Sequence, residues 1–191
     1  MEATEIVEKT AQGEIGGGKF LTFQLKDEEY GLEILKVREI MGLMDITTVP
    51  KTPAYVKGVI NLRGQVIPVI DLRLKFGMEK GEYDKRTCIV VVNVDGLQMG
   101  IVVDTVSEVM DIDSAAIEAA PSFGTKLNTD YILGMGKVQG TVKILLDIGE
   151  VLNSEDMVMM EEISKGCPMT EENKVKKGKK NKEVTEVKEI E

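Results

Sequence analysis

The chain has 191 residues, 24 basic and 33 acidic, with a net charge of −9 and neither histidine nor tryptophan. That length gives room for one medium domain or two small ones sharing a core. The missing histidine excludes Ser-His-Asp and Cys-His triads, imidazole metal ligands and a histidine base; the acidic balance and 4% aromatic content argue against nucleic acid as a partner.

Residues 1–18 are polar and end in Gly16-Gly17-Gly18, which reads as a leader outside the fold. The start, M-E-A-T-E-I-V-E-K-T, lacks the apolar stretch of a signal peptide. No apolar run approaches the roughly 20 residues that a membrane helix needs. The expectation is a cytoplasmic chain without membrane insertion. Cys88 and Cys167 have no Cys or His neighbours, so neither a disulfide framework nor a metal site is expected; Cys88 reads as a small buried apolar residue.

Dense apolar patterning covers residues 19–153. Leu21, Phe23 and Leu25 alternate with polar residues and predict a half-buried strand. L-E-I-L-K-V-R-E-I (32–40) fits helix and strand equally, and P-A-Y-V-K (53–57) reads as one helical turn. V-I-N-L (59–62) and Q-V-I-P-V-I-D-L (65–72) flank Arg63-Gly64 as a hairpin. I-V-V-V-N-V (89–94) runs into Asp95-Gly96, a preferred tight-turn pair, and returns as 97–103. A third hairpin joins 131–138 to 141–148 through Gln139-Gly140. E-D-M-V-M-M-E-E-I (155–163) predicts a short helix capped by Ser154. From 154 onward there are 8 basic and 10 acidic residues, including six lysines between Lys174 and Lys182. That tail reads as partly helical or disordered.

The core repeats itself. Residues 19–43 shifted by 69 positions match 88–112: Gly31 meets Gly100, Val37 meets Val106, Glu39 meets Glu108 and Met41 meets Met110. Residues 58–72 shifted by 76 match 134–148: Gly58 meets Gly134, Gly64 meets Gly140, Val66 meets Val142 and Asp71 meets Asp147. Units of short strands are expected to close as small barrels, because closure removes exposed edges. The two units, approximately 19–85 and 86–153, are expected to pack together.

Asp71 and Asp147 end corresponding hairpins. Paired carboxylates suit glycoside hydrolysis or a divalent metal, but their equivalence in the repeat favours a shared structural task at turn amides. Gly-Gly-Gly-Lys at 16–19 and G-M-G-K at 134–137 lack phosphate-loop spacing. Only the first unit carries an arginine at its hairpin tip. Arg63 and Glu39 are placed to meet as a charge-assisted pair, either as an ordinary surface bridge or as the frame of a recognition surface.

Y-G-L-E-I-L-K-V-R-E-I (30–40) and T-P-A-Y-V-K-G-V-I-N-L-R-G-Q-V-I-P-V-I-D-L-R (52–73) closely resemble the CheW family of chemotaxis coupling proteins. The similarity continues through 89–109 and 132–148. It implies a mainly β chain of two small SH3-like five-stranded β-barrels packed side by side, with short helical turns and a C-terminal helix. It implies a non-catalytic adaptor without cofactor that joins the cytoplasmic tip of methyl-accepting chemoreceptors to the regulatory domain of the histidine kinase CheA. Val37, Glu39 and Arg63 correspond to receptor-coupling positions. Gly58, Asn61, Gly64, Val66 and Asp71 belong to the structural motif. For the kinase face, Met41, Leu43, Met44 and Ile46 form an apolar cluster that is either exposed for a partner or ordinary core. An adaptor of a non-motility pathway and, further off, a carboxylate enzyme using Asp71 and Asp147 or a nucleic-acid binder using the lysine tail are the alternatives.

Overall fold

The computed structural model describes residues 16–120 and 129–166. Most of the leader, Cys167 and the Lys174–Lys182 run lie outside the described residues. In chain order the elements are β1 (Gly18–Leu25), β2 (Glu28–Glu33), β3 (Val37–Gly42), β4 (Val56–Leu62), β5 (Gln65–Asp71), α1 (Leu72–Lys75), β6 (Cys88–Val94), β7 (Leu97–Val103), β8 (Thr105–Ile112), β9 (Ile117–Glu118), β10 (Ile132–Val138), β11 (Thr141–Leu146), α2 (Ile148–Val151) and α3 (Ser154–Ser164). Three hairpin turns have the φ > 0 backbone expected of their sequences: Arg63-Gly64 at 52° and 86°, Asp95-Gly96 at 50° and 88°, and Gln139-Gly140 at 52° and 78°. The ambiguous 32–40 stretch is neither one helix nor one strand. It ends β2, turns through a 3₁₀ helix at Ile34–Lys36 and begins β3. The 53–57 segment is a turn closed by Val56 N–H donating to Pro53 O at 3.0 Å, not a helix.

The strands form a six-stranded sheet in the order β8-β1-β2-β11-β10-β9 and a five-stranded sheet in the order β3-β6-β7-β5-β4. The expectation of two closed five-stranded barrels is wrong: neither sheet closes on itself. Closure was expected because bare edges are a liability, but these edges are managed otherwise. The edge strand β9 has only two residues. The ladders of β3 and β8 with their neighbours are each broken by a register shift. A lone bridge, Thr47 to Val59, covers part of β4.

The sequence repeat is also a repeat of hydrogen bonds. Parallel β5–β7 pairs Val69 with Gly100, and parallel β11–β2 pairs Leu145 with Gly31, the corresponding residues. Asp71 N–H donates to Tyr55 O, and Asp147 N–H to Tyr131 O, both at 2.8 Å. Each sheet nevertheless draws on both halves. β1 and β2 pair with β8 and β11, whereas β6 and β7 pair with β3 and β5. The chain crosses between sheets at the Ile34–Lys36 turn and again at Asp104.

Exchange explains the continuous apolar run of β6. Val90, Val92 and Val94 face a large cluster that also takes Leu21, Phe23, Leu32 and Leu146 from the other sheet. Ile89 and Val91 face a smaller cluster with Ile60, Ile67 and Val69. A third cluster, Phe20, Ile112 and Leu145, lies on the far side of the six-stranded sheet. The central strands are therefore buried on both faces, and one apolar core joins the sheets. Cys88, at the end of β6, is only partly buried, and its thiol faces Arg86 O at 3.1 Å.

The C-terminal helix α3 is capped by Asn153, one residue before the expected Ser154. Asn153 Oδ1 accepts from Asp156 N–H at 2.8 Å, and Asp156 Oδ2 accepts from Asn153 N–H at 3.0 Å. Met160 and Ile163 are buried in the shared cluster. The buried Asp156 carboxylate also receives the Lys75 ammonium at 2.6 Å and the Tyr55 hydroxyl. The Lys75 Nζ lies 4.4 Å from the centre of the Tyr55 ring. Burial pushes the Asp156 carboxyl up, but the hydrogen bonds from Lys75, Tyr55 and the Asn153 amide outweigh it and hold the group below the usual carboxylate range.

Two outcomes follow from this packing. A core shared by both sheets should unfold in one cooperative transition by heat or denaturant; two separated calorimetric transitions would contradict it. A carboxyl depressed in the folded state contributes stability that is complete above the unfolded value, about 3.9 for Asp, and lost as pH falls through the folded value. Asp156→Asn should therefore melt below wild type at pH 7. The gap should narrow as the pH is lowered through about 4, as read by thermal melts across pH 7 to 3.

Candidate functional site

The hairpin β4–β5 carries the tip Arg63-Gly64. The left-handed backbone at Arg63 is held by Asn61, whose Oδ1 accepts from Gly64 N–H at 2.9 Å. That turn throws the arginine side chain outward, where its Nη1 and Nη2 donate to Glu39 Oε1 and Oε2 at 2.8 and 2.9 Å. The pair is bidentate, which fixes the guanidinium plane as well as its position. The Arg63 side chain remains 75% exposed and Glu39 29%. The hydrogen bonds and charge of Glu39 raise the Arg63 pKa further above an already high value. Glu39 lies on β3 and Arg63 beyond β4, the two opposite edges of the five-stranded sheet. Their ion pair thus spans the gap that backbone pairing leaves open.

Val37 does not join this patch. The β3–β6 register shifts between Val37 and Glu39. Val37 pairs with Val92 and packs on the shared cluster, whereas Glu39 pairs with Val91 of the smaller cluster. The bulge places the two on opposite faces of the sheet. Gly58 has φ 137°, and a Cβ there would lie 2.0 Å from Thr47 O, so its role is the backbone of the Thr47–Val59 bridge. Val66 pairs with Asn61 in the hairpin and is 42% exposed. Of the proposed kinase-face residues, Met41 and Ile46 pack against the smaller cluster, while Leu43 and Met44 remain exposed.

Asp71 and Asp147 are helix caps. Asp71 Oδ1 accepts from Arg73 N–H at 2.9 Å and its Oδ2 from the Tyr83 hydroxyl at 2.6 Å. Asp147 Oδ1 accepts from Gly149 N–H at 2.9 Å. These carboxylates are spent on their own turns. Among the described residues no group of three or more His, Cys, Asp or Glu is placed to hold a metal ion. A polar basin of about 430 Å³ sits where Lys26, Arg73 and Asp104 meet. Its main charges are internally matched, Arg73 with Asp104 and Arg86 with Asp84.

The repeat counterparts sharpen the site. Gln139 stands at the matching tip with the same φ of 52° but carries no charge. At the sheet crossings, Leu35 occupies the position that corresponds to Asp104. Leu35 is 89% exposed, whereas Asp104 Oδ2 accepts from Lys26 N–H at 2.7 Å and pairs with Arg73. Sequence reading missed Leu35. The apolar residue opposite an aspartate in the repeat was the available signal. It also missed the Asp156–Lys75–Tyr55 cluster, for which distances of 81 and 101 residues along the chain leave no local pattern.

The CheW-like domain model matches residues 19–156. The chemotaxis protein CheW of Klebsiella aerogenes is 43% identical over 153 residues, covering 80% of this chain and 92% of that protein. The chemotaxis protein CheW of Bacillus subtilis is 32% identical over 140 residues, covering 73% and 89%. The crystal structure of the scaffolding protein TtCheW from Thermoanaerobacter tengcongensis superposes with a TM-score of 0.68 at 36% identity, covering 74% of this chain and 98% of that one. A family model over most of the chain, relatives matched over nearly their whole length and a shared fold together show that the chain belongs to the CheW-like family.

Proposed function

We propose that this protein is a non-catalytic chemotaxis adaptor that couples transmembrane chemoreceptors to the histidine kinase CheA and helps assemble their signalling array. The observation that carries this reading is the 43% identity to a chemotaxis protein CheW over nearly that protein's whole length. The geometry supports it in kind: the polar groups that enzymes would use are consumed by caps and ion pairs, while charged and apolar groups are displayed on rigid sheet edges.

The receptor side is read at the Glu39–Arg63 pair. A bidentate pair with a mostly exposed arginine and a largely covered glutamate presents a defined pattern of charge at a sheet edge. Its partner is the helical tip of a chemoreceptor, with Val37 contributing from the other face. The kinase side is read at the segment after β3, where Leu43 and Met44 are the exposed members and Met41 and Ile46 hold the segment to the core. Its partner is the regulatory domain of CheA. The place of action is the cytoplasmic face of the receptor array. No helix among the described residues is long and apolar enough to cross a membrane.

Purified chain should be pulled down by a receptor cytoplasmic fragment and by CheA, and should restore receptor control of kinase activity. Binding to neither partner would refute the adaptor reading. Arg63→Glu should weaken receptor coupling by tenfold or more, on the order of the loss when one partner of an interfacial charge pair is reversed. Its circular dichroism and melting point should stay near wild type. The double exchange Glu39→Arg with Arg63→Glu should rebuild the internal pair but not the coupling, because the displayed charge pattern is inverted.

A further inference from the structure

Near its tip the Arg63 hairpin has few backbone ties to the rest of its sheet and is held there by the burial of Ile60 and Ile67 and by the Glu39 pair. The parallel ladder between β5 and β7 reaches only Val69, Ile70 and Asp71, at the hairpin base. Toward the tip, β5 has no ladder neighbour besides β4, and β4 is itself an edge strand. A two-stranded ribbon of this kind is marginal alone.

Helix α3 supplies what the sheet does not. Asp156, in its first turn, takes Tyr55 on one carboxylate oxygen and Lys75 on the other. Tyr55 immediately precedes β4 and Lys75 ends the helix that follows β5, so one buried carboxylate grips both legs of the hairpin at its base. From there α3 packs along β5. Its last residue, Ser164, lines a shallow groove of about 450 Å³ together with residues 64–67 at the tip and with Gly96, Leu97 and Gln98 at the β6–β7 turn. An eleven-residue helix rises about 16 Å, enough to run beside most of the strand. The matched CheW-like domain ends at residue 156, so most of α3 lies beyond it.

We infer that α3 is a splint that fixes the pose of the receptor-coupling hairpin, with Asp156 as its anchored end and Ser164 beside the tip. Asp156 is a positioning residue in this arrangement: it acts on Arg63 through the hairpin. The inference rests on the reading of Arg63 as a receptor contact.

The test uses the full chain and two variants. Asp156→Asn removes the charge that grips the base. Glu162→Pro, at an exposed position, breaks the last turn and frees the buried Ile163 beside it while leaving the Asp156 grip in place, and it decides the matter if the first variant does not fold. Amide hydrogen exchange is followed at 60–62 and 65–67, with 90–92 of the central strand as the internal reference. Affinity for a receptor cytoplasmic fragment is measured beside it, with Arg63→Glu as comparison. Ile112→Val, in the distant third cluster, controls for general loss of stability. Exchange at the tip should rise about tenfold or more while the reference amides hold, and affinity should fall about tenfold. The Ile112 variant should change neither. Unaltered tip exchange in a folded variant overturns the splint. So does faster tip exchange with wild-type affinity when Arg63→Glu has lost binding. Wild-type affinity in Arg63→Glu refutes the receptor reading instead, and tip exchange still decides whether α3 braces the hairpin.

Discussion

One constraint governs the molecule: its central strands are buried on both faces because each half of the repeat gives two strands to the sheet of the other. β6 sends Val90, Val92 and Val94 into the shared cluster and Ile89 and Val91 into the smaller one. Neither half can therefore assemble a core by itself. The crossings at Ile34–Lys36 and at Asp104, the parallel contacts β5–β7 and β2–β11, and the pair of buried Lys143 with the partly buried Glu29 at 2.5 Å are all consequences of that exchange.

Leaving the sheets open has a functional yield. A closed barrel would spend the outer backbone of β3 and β4 on each other. Here those edges stay apart, and the Glu39–Arg63 ion pair spans them. A side-chain tie of this kind costs little to break and displays charge, whereas a ladder would hide both strands. The buried groups follow the opposite rule. Asp71 and Asp156 are satisfied by backbone amides, a phenol or an ammonium, as low-dielectric surroundings demand, and the partly buried Asp147 is capped in the same way.

Much of this was legible in the sequence because the signals are local. Glycine after Arg63, Asp95 and Gln139 marked the three turns, alternation and β-branching marked the strands, and the repeat marked the equivalence of Asp71 with Asp147. The Glu39–Arg63 encounter was legible from placement at a hairpin tip and an upstream strand. Three things were not. Sheet closure depends on how edges are covered, and the two-residue β9 and the β3 bulge leave no distinct pattern. The separation of Val37 from Glu39 turns on that same bulge, since a strict period of two would put them on one face. The Asp156 cluster joins residues from three distant segments, and only tertiary packing brings Tyr55, Lys75 and Asn153 to one carboxylate. The change of cap from Ser154 to Asn153 is smaller: both residues suit the position, and Asp156 three residues on completes the box only for Asn153.

The unequal tips of the repeat give the molecule a polarity. The repeat gives the two hairpin tips the same backbone, so the strand framework alone does not distinguish them. Arg63 at one tip and neutral Gln139 at the other, together with Leu35 facing solvent where the matching Asp104 is tied down, break that degeneracy. The repeated framework thus has one marked end, and side chains rather than backbone carry the mark.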